Sequence, residues 1–438
     1  MKYMSCKPTR RDRRRSTRRG VVFAAGTAAI VLTAGACGSS SAATPPASSQ
    51  VPASAKQTIV FATDGLGSEG KATDAAVAAF EKANPNIHVQ VLALSPTSNV
   101  ALNQLDQRFI SGSSTPDVIY LDVIRPVQFA QSGWLANLNK FHVPTSTFFP
   151  AQMATGEYKG GVYAVPWFIN AEGVYYRTDL VKTPPKTPAQ LVADARSLLA
   201  THPSLKEGFA FEGAEYEGAV TAFQSMGGNI ASSTLSNINN SSNLATLTFM
   251  YDAIHKYHIS PSAVTTWEES NVQNAWLSGQ TPFALNWPYL FQLSEAAGSP
   301  VAGKTGWIPF PSATGKPQAS LGGADLAINA KSTHQAAAWK FIQYLTSIPA
   351  QVTRAINAGD PPSVKAAYTA HLYSVAPYYR QEQAVYAAAV PRPITPVYSN
   401  ISTDIQTMIS SVLAGQESPA AALKSTAPQV AQLQATVR

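Results

Sequence analysis

From residue 57 onward, two apolar periods alternate along the chain. Thr58–Ala62 is a short apolar run, after which Ala72, Ala76, Ala79, Phe80 and Ala83 recur at helical spacing. Asn84-Pro85-Asn86 stops that helix, and Ile87, Val89, Val91 and Ala93 alternate as a strand. Leu102, Leu105 and Phe109 mark a second helix, Gly112–Pro116 a loop, and Asp117–Leu121 a buried strand. This βαβαβ order predicts a parallel sheet with right-handed crossovers. Ligands of such sheets sit beyond the carboxyl ends of the strands. Two places meet that rule: the loop Asp64–Glu69 after the first strand, and Asp122 after the third. Both carry acids, and neither carries a glycine-rich phosphate fingerprint.

The mixture continues. Tyr163–Val165 and Gly173–Tyr176 read as strands on either side of Pro166-Trp167, and Pro188–Ala200 as a helix capped by Thr187. Leu321–Ala330 reads as a strand, and Thr333–Thr346 as a helix with Trp339, Ile342 and Leu345 on one face. No fixed-period repeat is present. At 438 residues, an α/β chain of this kind is expected to divide into two lobes. An apolar fraction of 45% excludes a disordered chain, and 31 prolines with only 13% charged residues exclude a coiled coil.

The formal charge of +7 suggests a nucleic-acid partner until the charges are located. Nine of the 32 basic side chains and only Asp12 of the 25 acids lie in residues 1–19, which leaves 23 basic against 24 acidic from residue 20. The body therefore has no global attraction to phosphate backbones, and no nucleic-acid partner is expected. The basic run leads into Gly20–Ala36, an apolar stretch too short for a typical membrane span and shaped like a signal peptide. Ala34-Gly35-Ala36-Cys37 followed by Gly38-Ser39-Ser40-Ser41 resembles a bacterial lipobox, although Ala34 stands where Leu is commoner. The expectation is a signal peptide over 1–36, then a lipidated Cys37 and a flexible tether over 37–56, anchoring the body to the outside of a bacterial membrane. An ordinary cleavable signal beside a chance cysteine is the alternative. Cys6 belongs to the discarded segment, so the mature body offers no disulfide, thiolate nucleophile or cysteine metal site.

Several fragments follow in order: Tyr158–Pro166 (YKGGVYAVP), Tyr175–Leu180 (YYRTDL), Pro282–Pro288 (PFALNWP), Leu321–Ile328 (LGGADLAI), Ala337–Ser347 and Arg392–Tyr398 (RPITPVY). Over residues 57–438 their order and spacing resemble the extracellular solute-binding proteins of carbohydrate ABC importers. The resemblance is nearest to the trehalose- and maltose-binding branch, including the trehalose-binding lipoproteins of actinobacteria. It implies an α/β fold of two lobes joined by three hinge crossings around an interlobe ligand cleft. Lobe 1 would hold 57–167 plus 325–368, and lobe 2 would hold 168–324 plus 369–438. It also implies a monomer that captures an α-glucosyl disaccharide by hinge closure and delivers it to the importer's transmembrane subunits. No cofactor, metal or catalytic residue is implied.

A disaccharide presents vicinal hydroxyls and patches of C–H, which carboxylates, arginine and aromatic faces recognise. By the family's pattern Glu69 and Asp122, with Asp64 as a helper, bond hydroxyls from lobe 1. Asn170 takes a polar position beside the first crossing, with Phe168 as a stacking face or a core residue. In lobe 2, Glu217 is the expected acid, with Glu212 and Glu215 close enough in sequence to be confused with it. Trp287 and Tyr289 match the aromatic pair, Gly322 and Gly323 let backbone N–H groups approach the ligand, and Arg392 donates to sugar oxygens. Where the family often has Trp after the glycine pair, this chain has Ala324, which removes a stacking face.

Four other readings compete. Gly298–Thr305 satisfies the P-loop spacing but lacks a strand before it and a helix after it. His255 and His258 lie three apart on a helix, with no third metal ligand nearby. A secreted glycoside hydrolase would also present acids to a sugar, and a scaffold lipoprotein would respond to no sugar. A longer oligosaccharide or a glycerol-phosphate diester is the alternative ligand.

Overall fold

The computed structural model describes residues 50–63, 67–95, 98–233, 235–311 and 319–437, which fall in one structural unit. The chain begins β1 (Gln57–Thr63), α1 (Gly67–Ala83), β2 (Ile87–Ala93), α2 (Ser98–Ile110), β3 (Val118–Asp122), α3 (Pro126–Gln131), α4 (Pro150–Met153). A two-stranded pair β4 (Glu157–Tyr158) and β5 (Gly161–Val162) precedes β6 (Ala164–Ala171) and β7 (Gly173–Arg177). Then come α5 (Pro188–Thr201), α6 (Glu217–Ser225), α7 (Ser241–His255), α8 (Glu269–Leu277), β8 (Phe283–Asn286), α9 (Tyr289–Ser294) and β9 (Thr305–Ile308). The remainder is β10 (Leu321–Ile328), α10 (Gln335–Leu345), α11 (Ile348–Ala358), α12 (Ala370–Val375), α13 (Tyr379–Ala388), α14 (Tyr398–Leu413) and α15 (Pro419–Ala435).

The predicted βαβαβ unit is present, with β1 pairing parallel to both β2 and β3. The full sheet runs β2-β1-β3-β10-β6, and β10 joins antiparallel to β3 and β6. A second sheet, β8-β7-β9, is antiparallel throughout. Each sheet carries its own core. In the first, Phe61 meets Trp167 and Phe341 edge-on at 5.7 and 5.3 Å, with Ile59, Phe80 and Leu326 buried around them. In the second, Val174, Phe211, Phe223, Leu247, Ile409 and Leu413 are buried together. Two sheets and two cores make a two-lobed α/β fold.

Three expectations need correction. Pro166-Trp167 does not break a strand but lies inside β6, where Pro166 faces Asp325 beside a register shift between Ala324 and Asp325. A bulge tolerates the missing proline N–H. The change of lobe expected at 368/369 falls after Ala389, because Leu372, Tyr379, Tyr386 and Ala389 pack in the first core. Because all of β6 and β10 belong to the first sheet, the chain leaves it at Glu172, between β6 and β7, and returns just before β10. The tether expected over 37–56 also ends early. Gln50 bonds Ser332 and the Gln335 N–H, Val51 N–H bonds Thr333, and Asn86 bonds Ala53, so residues 50–56 follow the body's surface. The expected signal peptide and Cys37 lie outside the described residues.

Candidate functional site

The carboxyl-end rule locates a cavity of about 200 Å³. Asp122 ends β3, Asn170 stands next to last in β6, Gly322 and Gly323 open the antiparallel β10, and Glu69 sits in the first turn of α1. From the second lobe come Glu212, Tyr216, Glu217 and Thr221, then Glu269 at the start of α8, Trp287, and Tyr289 at the start of α9. Arg392 enters from the third crossing. Every expected site residue within the described chain therefore lines one cavity. Asp64 lies outside the described residues.

Arg392 is 3% exposed and bridges the lobes. One guanidinium nitrogen donates to Glu217 at 2.6 Å and the other to Asp122 at 3.2 Å. Burial works against its charge, but the two carboxylates outweigh it and raise its pKa. Glu217 is fully engaged: Tyr398 and Ser402 donate to it besides Arg392. It lines the cavity as the anchor of Arg392, with both oxygens committed to protein donors.

The open acceptors lie elsewhere. Glu212 is 1% exposed, and its Oε1 accepts no hydrogen bond from the protein; Asn170 Oδ1 is likewise buried and unpartnered. Burial raises the Glu212 pKa, and the charges of Glu269, Glu172 and Glu268 raise it further. Glu269 is raised by burial, a hydrogen bond with Tyr289 opposing and the Asp122 charge reinforcing the shift. Burial raises the pKa of Asp360, near Glu69, with the Arg354 charge opposing the shift. Asp360 pairs in turn with Arg354 at 2.7 Å, whose guanidinium lies 3.9 Å from the Trp167 ring centroid.

Trp287 supplies the apolar face. Its ring lies so close to Gly322 that a Cβ there would stand 2.5 Å from the indole. Gly323 has φ +107°, and a Cβ would meet the Phe168 carbonyl at 2.2 Å, so only glycine fits. Phe168 reaches the cavity but is 4% exposed and tilted against Tyr120 and Trp167, which makes it chiefly core. Ala324 is fully buried in the first core, so the missing bulk there faces the sheet's interior.

Sequence reasoning passed over Tyr120, Tyr216, Thr221 and Glu269, and left Glu212 unresolved from its neighbours. Glu268 caps α8 in a capping box with Asn271, so Glu269 reads as an ordinary helix-start acid. Glu215 accepts from Thr407 on an exposed surface. Gly298–Thr305 leads from a turn into β9, with no helix to present N–H groups. His255 and His258 bond the carbonyls of Leu413 and Ile254. Among the described residues no group of three or more His, Cys, Asp or Glu could hold a metal ion, and no helix is long and apolar enough to cross a membrane.

Two α/β lobes that share a cleft of buried acceptors and an aromatic face define the class of two-lobed solute-binding proteins. The chain belongs to the bacterial extracellular solute-binding protein family, whose model matches residues 64–352. It is 31% identical over 399 residues to a Deinococcus radiodurans protein described as a probable ABC transporter-binding protein, covering 86% of this chain and 93% of that one. Maltose-bound T. maritima MalE3 is 31% identical with a TM-score of 0.80, covering 86% of this chain and 99% of that one. A solute-binding protein of Thermotoga lettingae TMO bound with α-D-tagatose is 25% identical with a TM-score of 0.77, covering 86% and 100%.

Proposed function

We propose that this protein captures an α-glucosyl disaccharide, trehalose or maltose, by closing its two lobes, and delivers it to the transmembrane subunits of an ABC importer. The observation that carries the reading is the pairing of two buried, unpartnered acceptors, Glu212 Oε1 and Asn170 Oδ1, with the indole face of Trp287. Sugar hydroxyls satisfy the acceptors while the pyranose C–H face covers the indole. A hydrogen bond to a charged group contributes roughly 1.5–3 kcal/mol, so a few of them suffice for micromolar binding after association costs. Glu212 takes the role first expected of Glu217, whose oxygens are occupied. Glu69, Asp122, Tyr289 and the two glycine N–H groups complete the contacts, with Arg392 aligning Asp122. The maltose in the T. maritima relative and the name of the Deinococcus relative support the ligand class and the importer. A lipid on Cys37 holds the monomer at the outer face of the cell membrane.

Calorimetric titration of the full chain with trehalose, maltose and a glycerol-phosphate diester tests the reading. Saturable heat from a disaccharide, none from the diester and no glucose released is the expected result. Heat from the diester alone, silence throughout, or free glucose would overturn it.

A further inference from the structure

The polar side chains of α6 meet all three crossings. Glu172, the single residue between β6 and β7, is fully buried. Its carboxyl oxygens accept from Thr221 at 3.2 Å and Ser225 at 2.7 Å. Ser225 Oγ also accepts the Ser320 N–H at the second crossing, at 3.1 Å. Gln224 donates to the Val390 carbonyl at the third crossing, at 3.0 Å, and meets the Ser320 hydroxyl at 3.3 Å. The second and third crossings pair directly through Leu321 N–H to Val390 and Val390 N–H to Ala319. Glu217, one turn before Thr221, holds Arg392. Positions 217, 221, 224 and 225 share one helical face, so a single helix fastens the hinge and the cleft arginine together.

We propose that α6 is the hinge clamp and that Glu172 is its positioning residue, protonated while the lobes are drawn together and releasing that proton when they part. Water reaching an opened hinge would solvate the carboxylate, whereas in the fastened hinge the hydroxyls of Thr221 and Ser225 donate to it. The charged groups that act on it are Arg392 from the third crossing, which favours its ionisation, and Glu269 of α8 and Glu212, which oppose it. In this arrangement burial is the largest influence and pushes Glu172 up to about 7. The fastened state therefore binds more protons than the parted one, and lowering the pH from 8 to 6 draws the lobes together.

The proposal rests on the two-lobed capture reading, but its test uses no sugar and so fails or succeeds separately. Spin labels are placed on the full chain at Lys82→Cys in α1 and Lys256→Cys after α7, both exposed, with Cys6→Ser and Cys37→Ser removing the native thiols. Interlobe distances are measured from pH 6 to 8 without ligand. Wild type is expected to shift toward the short distance as pH falls, with a midpoint near neutrality. Glu172→Gln should lose the shift while Glu157→Gln, on an exposed surface away from the cleft, keeps it, and Ser225→Ala should move the midpoint upward. A wild-type distribution that ignores pH, or a shift that survives in Glu172→Gln, would overturn the proposal.

Discussion

Glu212 and Glu217 stand five residues apart and line the same cavity, yet their surroundings give them different work. Glu217 faces Arg392, Tyr398 and Ser402, whereas Glu212 faces an open acceptor site crowded by other acids. Glu212→Gln should weaken disaccharide binding about tenfold, because it replaces one carboxyl oxygen of the acceptor site with an NH2 donor, while leaving the melting temperature unchanged or raised. Glu217→Gln should instead cost about 3 kcal/mol of stability, since it strips the shorter partner from a buried guanidinium. Paired calorimetric and denaturant titrations check both, and the account fails if the two variants behave alike. Gly322→Ala drives a methyl toward Trp287, so affinity should fall at least tenfold with the fold intact by circular dichroism. Asp325 carries a separate prediction. It is fully buried with Thr155 donating at 2.8 Å, and burial pushes it up to about 8. A folded pKa above the unfolded one means the native state holds the proton longer, so its stabilisation is full near pH 4 and lost as pH rises through about 8. Asp325→Asn should flatten the fall in melting temperature between pH 5 and 8; an unchanged slope would remove Asp325 as its cause.

Local chemistry made the regular elements readable before any coordinates. Alternation buries Ile87 and Val89 but leaves Val91 and Ala93 exposed at the end of β2, the 3.6 period of Gln335–Leu345 records one buried face, and Thr187 caps α5 by accepting the Gln190 N–H at 3.2 Å. Thr187→Ala should therefore cost about 1 kcal/mol in denaturant unfolding and leave ligand affinity untouched. Features settled by distant partners were hidden. Pro166 signals a break until Asp325 is seen opposite it across a bulge. The tyrosines of α12 and α13 could cover either core on pattern alone, and their packing against the first decides where the third crossing falls. Glu172 reads as an isolated acid beside a strand, because its partners Thr221, Ser225 and Arg392 lie 49 or more residues away. The site shows the same division. Glycine and aromatic motifs at Trp287, Tyr289, Gly322 and Gly323 carried its position, whereas the choice among Glu212, Glu215 and Glu217 depended on which oxygens were already taken.

At the scale of the whole molecule, two cores are joined by three crossings that one helix gathers, and the groups lining the cavity are divided between the lobes. Asn170, Asp122 and the glycine pair belong to one sheet, while Glu212, Glu269 and Trp287 belong to the other lobe. A ligand bonded by both sets gains all its contacts only when the lobes meet, so it shifts the population by its differential affinity for that state. The most direct test is the crystal structure of the full chain grown with maltose or trehalose. The account predicts a pyranose ring against the Trp287 indole, with sugar hydroxyls about 2.7 Å from Glu212 Oε1 and Asn170 Oδ1. A sugar bound elsewhere, or a cleft that stays empty at saturating disaccharide, would contradict it.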